Sequence, residues 1–216
     1  MSSRAVMVID YGIGNLLNVV RALQHNNAEV TVVDQAADVG ELPERLVLPG
    51  VGAFAGGMAE MRQRGFEELV LRFAQTQRPF LGICVGAQML FTTGEEFGQH
   101  SGLGLIAGTV KPVPALRPDG LTHRIPHIGW SGLHRPGGRR TWQGTPLARF
   151  AEGDAAYFVH SFAPEPADEA HRLADTYYDG VCICAAVGKD NLWGCQFHPE
   201  RSGEAGLAIL SAFLEL

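Results

Sequence analysis

Four short apolar segments alternate with helix-like stretches in the first half of the chain. The segments AVMVID (5–10), EVTVVD (29–34), RLVLPG (45–50) and PFLGIC (79–84) have the length and composition of strands. Apolar residues recur every three or four positions between the first two segments, as in an amphipathic helix. The same spacing between the last two segments predicts one helix over residues 57–75. This alternation predicts an α/β fold with an open, mostly parallel central sheet that carries helices on both faces.

The second half is richer in short β-like pieces. Between about residues 105 and 197, segments such as LIAGTV, YFVHSF and VCICAAV are separated by Gly, Pro and Asp turns, which predicts antiparallel and mixed additions to the same sheet. A final helix is predicted from the apolar stripe of Leu207, Leu210 and Leu214, with Ser202 as its N-cap. The 216 residues suit a single domain, 1–216.

Charge and composition exclude several classes of partner. The formal net charge is -6 and the short basic clusters (Arg62 with Arg64, and Arg135 with Arg139 and Arg140) offer no continuous surface for phosphates, so no nucleic-acid partner is expected. No apolar run approaches the length of a membrane span, and the N-terminus lacks the pattern of a signal peptide. We therefore expect a cytoplasmic protein with no membrane partner and with reduced cysteines.

Cys84 lies between two glycines where a predicted strand meets a predicted helix. The pattern Gly82-x-Cys84-x-Gly86 matches the sharp turn that presents a nucleophile at the carboxyl edge of an α/β sheet. Small residues two before and two after the nucleophile are needed because the backbone is tightly bent. The amides of the following helix favour a thiolate and can bind an oxyanion, with the Val85 N–H as the first donor. Taken alone, the motif is also compatible with an inert buried cysteine.

A histidine and a carboxylate near the C-terminus supply the second signal. In GCQFHPERS, His198 and Glu200 are two apart, and Pro199 is expected to keep the segment extended, so that both side chains share a face. A carboxylate on one ring nitrogen fixes the tautomer and leaves the other nitrogen free to face a nucleophile. With Cys84, the three residues indicate nucleophilic catalysis, although His-Pro-Glu alone also fits a surface turn.

A glycine-rich turn follows the third predicted strand. In LVLPGVGAF, the glycines of Pro49-Gly50-Val51-Gly52 allow a backbone amide to turn into or out of a pocket. The loop is thus a candidate for a second oxyanion donor. A phosphate-binding loop and a simple tight turn remain open as alternatives.

The three motifs together resemble those of class I, or triad, glutamine amidotransferases. The resemblance extends over nearly the whole chain and is most specific to the glutaminase subunits of imidazole glycerol-phosphate synthases. The segments that carry it are IDYGIGNL, LPGVGAF, GICVGAQMLF, GEEFG, IPHIGW, YFVHSF and QFHPERSGEAG. Each motif is moderately specific, whereas their order and spacing are highly specific.

The resemblance implies an enzyme that hydrolyses L-glutamine to glutamate and ammonia and needs no cofactor and no metal. It implies that Cys84 is the nucleophile, His198 the proton carrier and Glu200 the residue that orients His198. Other family roles fall on three sets of residues: Val51, Gly52 and Val85 for the oxyanion; Gly50, Gln88, Glu96, His160 and Ser161 for substrate; and Asn15, Trp130 and Tyr157 toward a partner. That partner, in a heterodimer, is a (β/α)8-barrel cyclase of histidine biosynthesis that receives the ammonia.

Two residues depart from the family pattern. Ser131 stands where the family commonly has asparagine after P-H-M-G-W, and Phe162 stands where tyrosine is usual. Neither change touches the triad. A related sugar-amidating enzyme of surface-polysaccharide synthesis therefore stays open as the partner.

Four other functions compete with this interpretation. VMVIDYGIGNL with Asp34 resembles a dinucleotide-binding fingerprint, but Leu17 replaces its third glycine. Cys182, Cys184, Cys195 and His198 suggest a zinc site, but without the spacing of common zinc sites. A self-sufficient cysteine hydrolase or peptidase on the same scaffold is a third alternative. A scaffold subunit with a dead site is a fourth, against which the intact triad argues.

Overall fold

The computed structural model describes residues 4–138 and 141–216, so Arg139 and Arg140 lie outside the described residues. Its strands, in chain order, are β1 (Ala5–Ile9), β2 (Glu29–Val33), β3 (Leu46–Gly50), β4 (Phe80–Cys84), β5 (Phe91–Gly94), β6 (His100–Ser101), β7 (Ile106–Pro112), β8 (His127–Gly132), β9 (Ala155–His160), β10 (Phe162–Pro166), β11 (Arg172–Tyr178), β12 (Val181–Lys189) and β13 (Leu192–Cys195). The α-helices are α1 (Leu16–His25), α2 (Phe54–Gln63), α3 (Phe66–Ala74), α4 (Val85–Gln88) and α5 (Gly203–Phe213). Short 3-10 turns occupy Ala36–Asp38, Glu169–His171 and Pro199–Arg201.

A seven-stranded sheet forms the centre of the fold, in the order β11-β12-β13-β4-β3-β1-β2. The five strands from β13 to β2 are parallel, and β11 and β12 add an antiparallel edge. Every residue of β3, β4 and β13 is buried. Burial of successive residues means that both faces of these strands are covered, as the sequence predicted for a parallel sheet.

The second half departs from the sequence prediction in its pairing. Only β11, β12 and β13 join the central sheet, whereas β10-β7-β5-β6 form a separate four-stranded sheet and β8 pairs with β9 in a third. The prediction of additions to one sheet was therefore wrong for these strands. The apolar pattern of a short strand indicates which face is buried, but it does not identify the strand that pairs with it.

Two helix predictions also need correction. The stretch from residue 57 to 75, predicted as one helix, is divided between α2 and α3 by Gly65, whose φ of 74° a right-handed helix cannot contain. The helix that follows Cys84 is a single turn, because the chain enters β5 at Phe91. Among the described residues, no helix has both the length and the apolar character that crossing a membrane requires.

Candidate active site

Cys84 ends β4 in a backbone conformation that few L-residues adopt. Its φ is 54° and its ψ is -113°. The two flanking glycines make the bend feasible: a Cβ atom on Gly82 would lie 2.7 Å from the Cα of Ala87, and one on Gly86 would lie 1.9 Å from the Leu48 carbonyl oxygen. The contacted atoms belong to the backbone and cannot move aside like a flexible side chain. The glycines are thus required sterically on both sides of the sulfur.

The single turn of α4 limits how the helix can act on Cys84. A helix macrodipole accumulates over several turns, so this contribution is smaller than the sequence suggested. The backbone N–H of Val85 remains relevant, because the first residue of a helix has an amide that the helix itself cannot satisfy. Opposite it, the loop after β3 contains Gly52 at a φ of 84°, a conformation that favours glycine.

His198 and Glu200 form the second half of the site. The His198 Nδ1 atom lies 2.8 Å from Oε1 of Glu200, and both side chains are almost fully buried. The connecting segment is not extended as predicted, since Pro199 begins a 3-10 turn. Proline suits the first position of a helical turn because its φ is already appropriate and its missing N–H is not needed there. The turn still brings carboxylate and imidazole together.

Ser202 fixes the His198 turn to the neighbouring strand. Its hydroxyl donates to the His198 carbonyl oxygen at 2.7 Å and accepts from the Tyr157 N–H at 2.9 Å. The residue occupies the predicted N-cap of α5, but its side chain makes no capping hydrogen bond to that helix. The His198 N–H also donates to the Tyr157 carbonyl oxygen at 2.9 Å. These bonds hold the imidazole in place from its backbone side.

The imidazole of His198 has an altered proton affinity. Burial lowers its pKa, but the Cys84 thiol and the Glu200 carboxylate outweigh burial and raise the pKa of His198 to about 10. The Nε2 atom is buried and makes no hydrogen bond of regular geometry among the described residues, while the Cys84 thiol is near enough to act on the ring. This direction favours the protonated form of His198 beside the Glu200 carboxylate.

Glu200 also contacts the start of α1. The Asn15 side-chain amide donates to Oε1 of Glu200 at 3.2 Å, and Asn18 donates to Oδ1 of Asn15 at 2.7 Å. Asn15 was expected to lie toward a partner. Within this chain it contacts the Glu200 carboxylate, a contact between residues far apart in the sequence that no local motif reveals.

A cavity of about 260 Å³ opens beside Cys84. Its lining combines the predicted nucleophile, proton carrier, oxyanion loop and substrate-binding positions with a few further residues: Val51, Gly52, Cys84, Val85, Gln88, Glu96, Pro126, Val159, His160, Ser161, Phe162 and His198. Glu200 lies behind His198 and does not line it. Gly50 does not line it either; it packs against Tyr11, whose hydroxyl oxygen would be 2.3 Å from a Cβ added to Gly50.

One amide side chain, Gln88, and one acidic side chain, Glu96, line the cavity that contains Cys84. Gln88 donates from Nε2 to the Phe162 carbonyl oxygen at 3.0 Å and to Oε1 of Gln196 at 2.9 Å, so both of its amide protons are used. Oε2 of Glu96 accepts from the Phe54 N–H at 2.7 Å. The remaining oxygens of Gln88 and Glu96 can accept hydrogen bonds, as a bound ammonium group requires.

Gln196 is a polar residue of the site that the sequence analysis did not single out. It is 1% exposed, and its Nε2 lies 3.7 Å from the Cys84 sulfur. The signal was present in the sequence, since a glutamine inside the apolar segment LWGCQF needs a partner when it is buried.

A pair of buried histidines supports the wall of the cavity. His160 Nδ1 lies 2.9 Å from the Phe162 carbonyl oxygen and can only donate to it; His160 Nε2 then accepts from Nδ1 of His127 at 3.0 Å. His127 Nε2 in turn accepts from the Ser131 hydroxyl at 2.9 Å. Burial lowers the pKa of His127 to about 4 and that of His160 to about 3. Both rings are therefore neutral, and Ser131 supplies a donor at the position of the family's asparagine.

The predicted partner-facing aromatic residues lie outside the cavity. Trp130 is 56% exposed and packs edge to face against Tyr157, whose ring the Arg201 guanidinium covers at 4.3 Å. The nearby Ile128 is 57% exposed. Exposed apolar side chains of this size are typical of a surface that contacts another protein.

The cysteines outside the site do not form a metal site with His198. Among residues 4–138 and 141–216, no group of three or more His, Cys, Asp or Glu side chains is placed to hold a metal ion. Burial raises the pKa of Cys184 to about 12 and also raises that of Cys195, which favours neutral thiols in the core.

Comparison with known proteins agrees with this geometry. Residues 7–216 match the family model of glutamine amidotransferase class-I. An imidazole glycerol phosphate synthase subunit HisH 1 from Legionella pneumophila (strain Lens) is 48% identical over 98% of this chain and 99% of its own length. Subunits HisH from Zymomonas mobilis and Syntrophotalea carbinolica are 44% and 41% identical, over 99% and 96% of this chain and 97% and 98% of their own lengths.

Solved structures share the fold at lower sequence identity. PurLQS from Thermotoga maritima superposes with a TM-score of 0.72 at 19% identity, over 100% of this chain and 99% of that chain. A crystal structure of a glutamine amidotransferase superposes with a TM-score of 0.70 at 17% identity, over 97% and 99%. These likenesses confirm the predicted α/β fold with its mostly parallel sheet. The chain belongs to the class-I glutamine amidotransferase family.

Proposed function

We propose that this protein is the glutaminase subunit of an imidazole glycerol phosphate synthase. It hydrolyses L-glutamine to glutamate and ammonia in the cytoplasm and passes the ammonia to a synthase partner. The observation that carries the proposal is the convergence of Cys84, His198 and Glu200 beside one cavity, in a chain whose relatives named HisH match it over nearly its full length.

The first half of the reaction forms a thioester. The Cys84 sulfur attacks the carboxamide carbon of glutamine, forming a C–S bond while the carbonyl electrons move onto oxygen. When the tetrahedral intermediate collapses, the C–N bond breaks and the His198 imidazolium gives its proton to the leaving nitrogen, which departs as ammonia. Glu200 holds His198 through Nδ1, so that Nε2 faces the sulfur.

The second half releases glutamate. Neutral His198 takes a proton from water, the water oxygen attacks the γ-glutamyl thioester, and the C–S bond breaks to restore the Cys84 thiolate. The Val85 N–H and an amide of Val51 or Gly52 stabilise the oxyanion in both halves. Both donors border the cavity next to Cys84.

The cavity binds the amino-acid end of glutamine away from the sulfur. Gln88 and Glu96 accept from the α-ammonium group through the oxygens left after their internal hydrogen bonds. The backbone of His160 and Ser161 borders the same cavity and binds the substrate main chain. Gly50 acts indirectly, since it provides the space that the Tyr11 ring needs beside the oxyanion loop.

The partner is a (β/α)8-barrel cyclase, and the two chains form a heterodimer. The docking face includes Trp130 and Tyr157, with the exposed Ile128 beside them. Asn15 belongs to the same docking face, and its side-chain amide also donates a hydrogen bond to Glu200 of the triad. A sugar-amidating partner is the competing assignment, and the relatives named HisH favour the cyclase.

Two assays test the proposal. Glutaminase activity is measured for the chain alone and with a stoichiometric barrel cyclase; we expect strong stimulation by the cyclase, whereas fast turnover without it would identify a self-sufficient hydrolase. The Cys84→Ala variant in the complex should lose glutamine-dependent synthesis and keep ammonia-dependent synthesis, because only the first reaction needs the thiolate. Loss of both reactions in a complex that still assembles would contradict this division of labour.

A further inference from the structure

Gln196 contacts the reacting sulfur from the side of the neighbouring strand. It directly follows β13, which pairs with β4 in parallel and ends opposite Ile83. Its backbone N–H donates to the Ala185 carbonyl oxygen at 2.8 Å, and its side-chain Nε2 lies 3.7 Å from the Cys84 Sγ atom. The steps proposed above for glutamine hydrolysis give this buried amide no role.

The orientation of the Gln196 amide is determined by a backbone carbonyl. The Phe162 oxygen can only accept hydrogen bonds, so the nitrogen of Gln88 and not its oxygen must face it. The same nitrogen then gives its second proton to Gln196, which must present Oε1 to receive it. The NH₂ group of Gln196 is consequently turned toward the Cys84 sulfur.

The Phe162 carbonyl is itself held in place. It also accepts a hydrogen bond from Nδ1 of His160, whose other nitrogen is fixed by His127. A rotation of the Gln196 amide by half a turn would place its NH₂ group against the NH₂ group of Gln88, so that two donors oppose each other and an amide proton of Gln88 is left unpaired. The rotated arrangement is costly in free energy because the site is buried: an unsatisfied buried group has lost the hydrogen bonds to water that it had in the unfolded chain.

We infer that Gln196 is a hydrogen-bond donor to the Cys84 thiolate, which it stabilises and holds in the attacking position. A sulfur that has lost its proton is a far better acceptor than a neutral thiol, so an N–H aimed at it binds the anion preferentially. His198 acts on the sulfur as proton carrier, while Gln196 keeps its own protons throughout. The kinetic consequence rests on the proposed glutaminase function, whereas the effect on thiol reactivity does not.

The test compares two replacements that separate hydrogen bonding from packing. Gln196→Glu keeps the shape and the acceptor for Gln88 but puts a carboxylate oxygen where the N–H was. Gln196→Met keeps the length and removes both polar atoms. Asn191→Leu removes another buried amide, one that donates to the Arg78 carbonyl oxygen away from the cavity, and serves as the matched control.

The primary measurement is the rate at which iodoacetamide alkylates Cys84, followed from pH 5 to pH 10. Peptide mass spectrometry distinguishes Cys84 from Cys182, which is exposed. We expect the rate at pH 7 to fall about tenfold in Gln196→Met, the order expected when one hydrogen bond to a charged group is lost. The inflection should move to higher pH, and further in Gln196→Glu than in Gln196→Met. Asn191→Leu should keep the wild-type profile.

A wild-type profile in Gln196→Glu, with Gln196→Met alone altered, would assign Gln196 to packing and overturn the inference. A wild-type profile in both variants would overturn it as well. Glutaminase assays of the complex add a second readout: kcat should fall about tenfold with KM within about twofold, because the contact is to the nucleophile and not to the bound substrate. If the wild-type complex had no glutaminase activity, the proposed function would fail while the alkylation result still decided the role of Gln196.

Discussion

Gly86 lies so close to Leu48 that a Cβ atom on Gly86 would stand 1.9 Å from the Leu48 carbonyl oxygen. Relief would require β3 or α4 to move, and β3 leads into the loop proposed to bind the oxyanion. We therefore expect Gly86→Ala to lower the free energy of unfolding by about 3 kcal/mol or more. Urea denaturation measures the change.

Gly56 offers the matched control for this substitution. It lies in α2 with open space around the position of an added Cβ, so Gly56→Ala should raise the free energy of unfolding by up to about 1 kcal/mol. Equal effects of the two substitutions would show that the contact with Leu48 does not limit the fold.

The strained backbone of Cys84 predicts a difference in stability between two variants that both lack the thiol. At a φ of 54° and a ψ of -113°, glycine has less backbone strain than any residue with a Cβ. We expect Cys84→Gly to be more stable than Cys84→Ala by roughly 1 kcal/mol, although glycine loses more entropy on folding. Both variants lack the proposed nucleophile, so both should be inactive with glutamine. Thermal unfolding of the two variants under the same conditions measures the difference, and a more stable Cys84→Ala would mean that the turn is unstrained.

Glu96 predicts a specific effect on substrate binding. If its carboxylate binds the ammonium group of glutamine, Glu96→Gln should raise the KM of the active complex about tenfold, the order of a hydrogen bond to a charged group, with a smaller change in kcat. The neighbouring Glu95 does not line the cavity, so Glu95→Gln should keep the wild-type KM. Similar KM values for the two variants would remove Glu96 from the substrate site.

The neutral histidine pair predicts a loss of stability in mild acid. The folded-state pKa values of His127 and His160, about 4 and about 3, lie below the ordinary value because of burial. As the pH falls from 6.5 toward 4, the unfolded chain binds protons that the folded protein does not, so the free energy of unfolding decreases. Each histidine contributes at most about 1.4 kcal/mol per pH unit.

His127→Gln isolates this contribution. Glutamine can accept from Ser131 and donate to His160, but it cannot take up a proton. Urea midpoints measured at pH 7, 6 and 5 should fall less steeply in the variant than in the wild type. Parallel curves would show that His127 is not a source of the acid sensitivity.

The sequence predicted the parts of the fold that local patterns control. The solid apolar runs of β3 and β4 identified buried parallel strands, and the glycines around Cys84 identified the sharp turn at the sheet edge. The short strands of the second half were recognised as strands, but β7, β8, β9 and β10 were assigned to the central sheet, which they do not join. Their pairing depends on contacts between distant segments, such as β7 with β10, and an apolar pattern carries no information about such partners.

The site was predictable residue by residue only where a motif lies in one segment. Cys84 and the His198 segment were found from their local patterns, whereas the contact of Asn15 with Glu200 joins the first helix to the last turn. Pro199 was taken as a guarantee of extended chain, but proline also begins helical turns, and it does so here. Gln196 was overlooked because a single glutamine has no motif of its own, and its partners appear only in three dimensions.

Cys84 and His198, the proposed nucleophile and proton carrier, are positioned by two neighbouring parallel strands. Cys84 ends β4, and His198 follows shortly after β13, whose last residue Cys195 is in register with Ile83. The distance between sulfur and imidazole is therefore governed by the hydrogen bonds that pair these two strands. It does not depend on the long stretch of chain between Cys84 and His198 in the sequence. Insertions or deletions at the surface of that intervening stretch can reshape the rim of the pocket while the reacting atoms keep their separation.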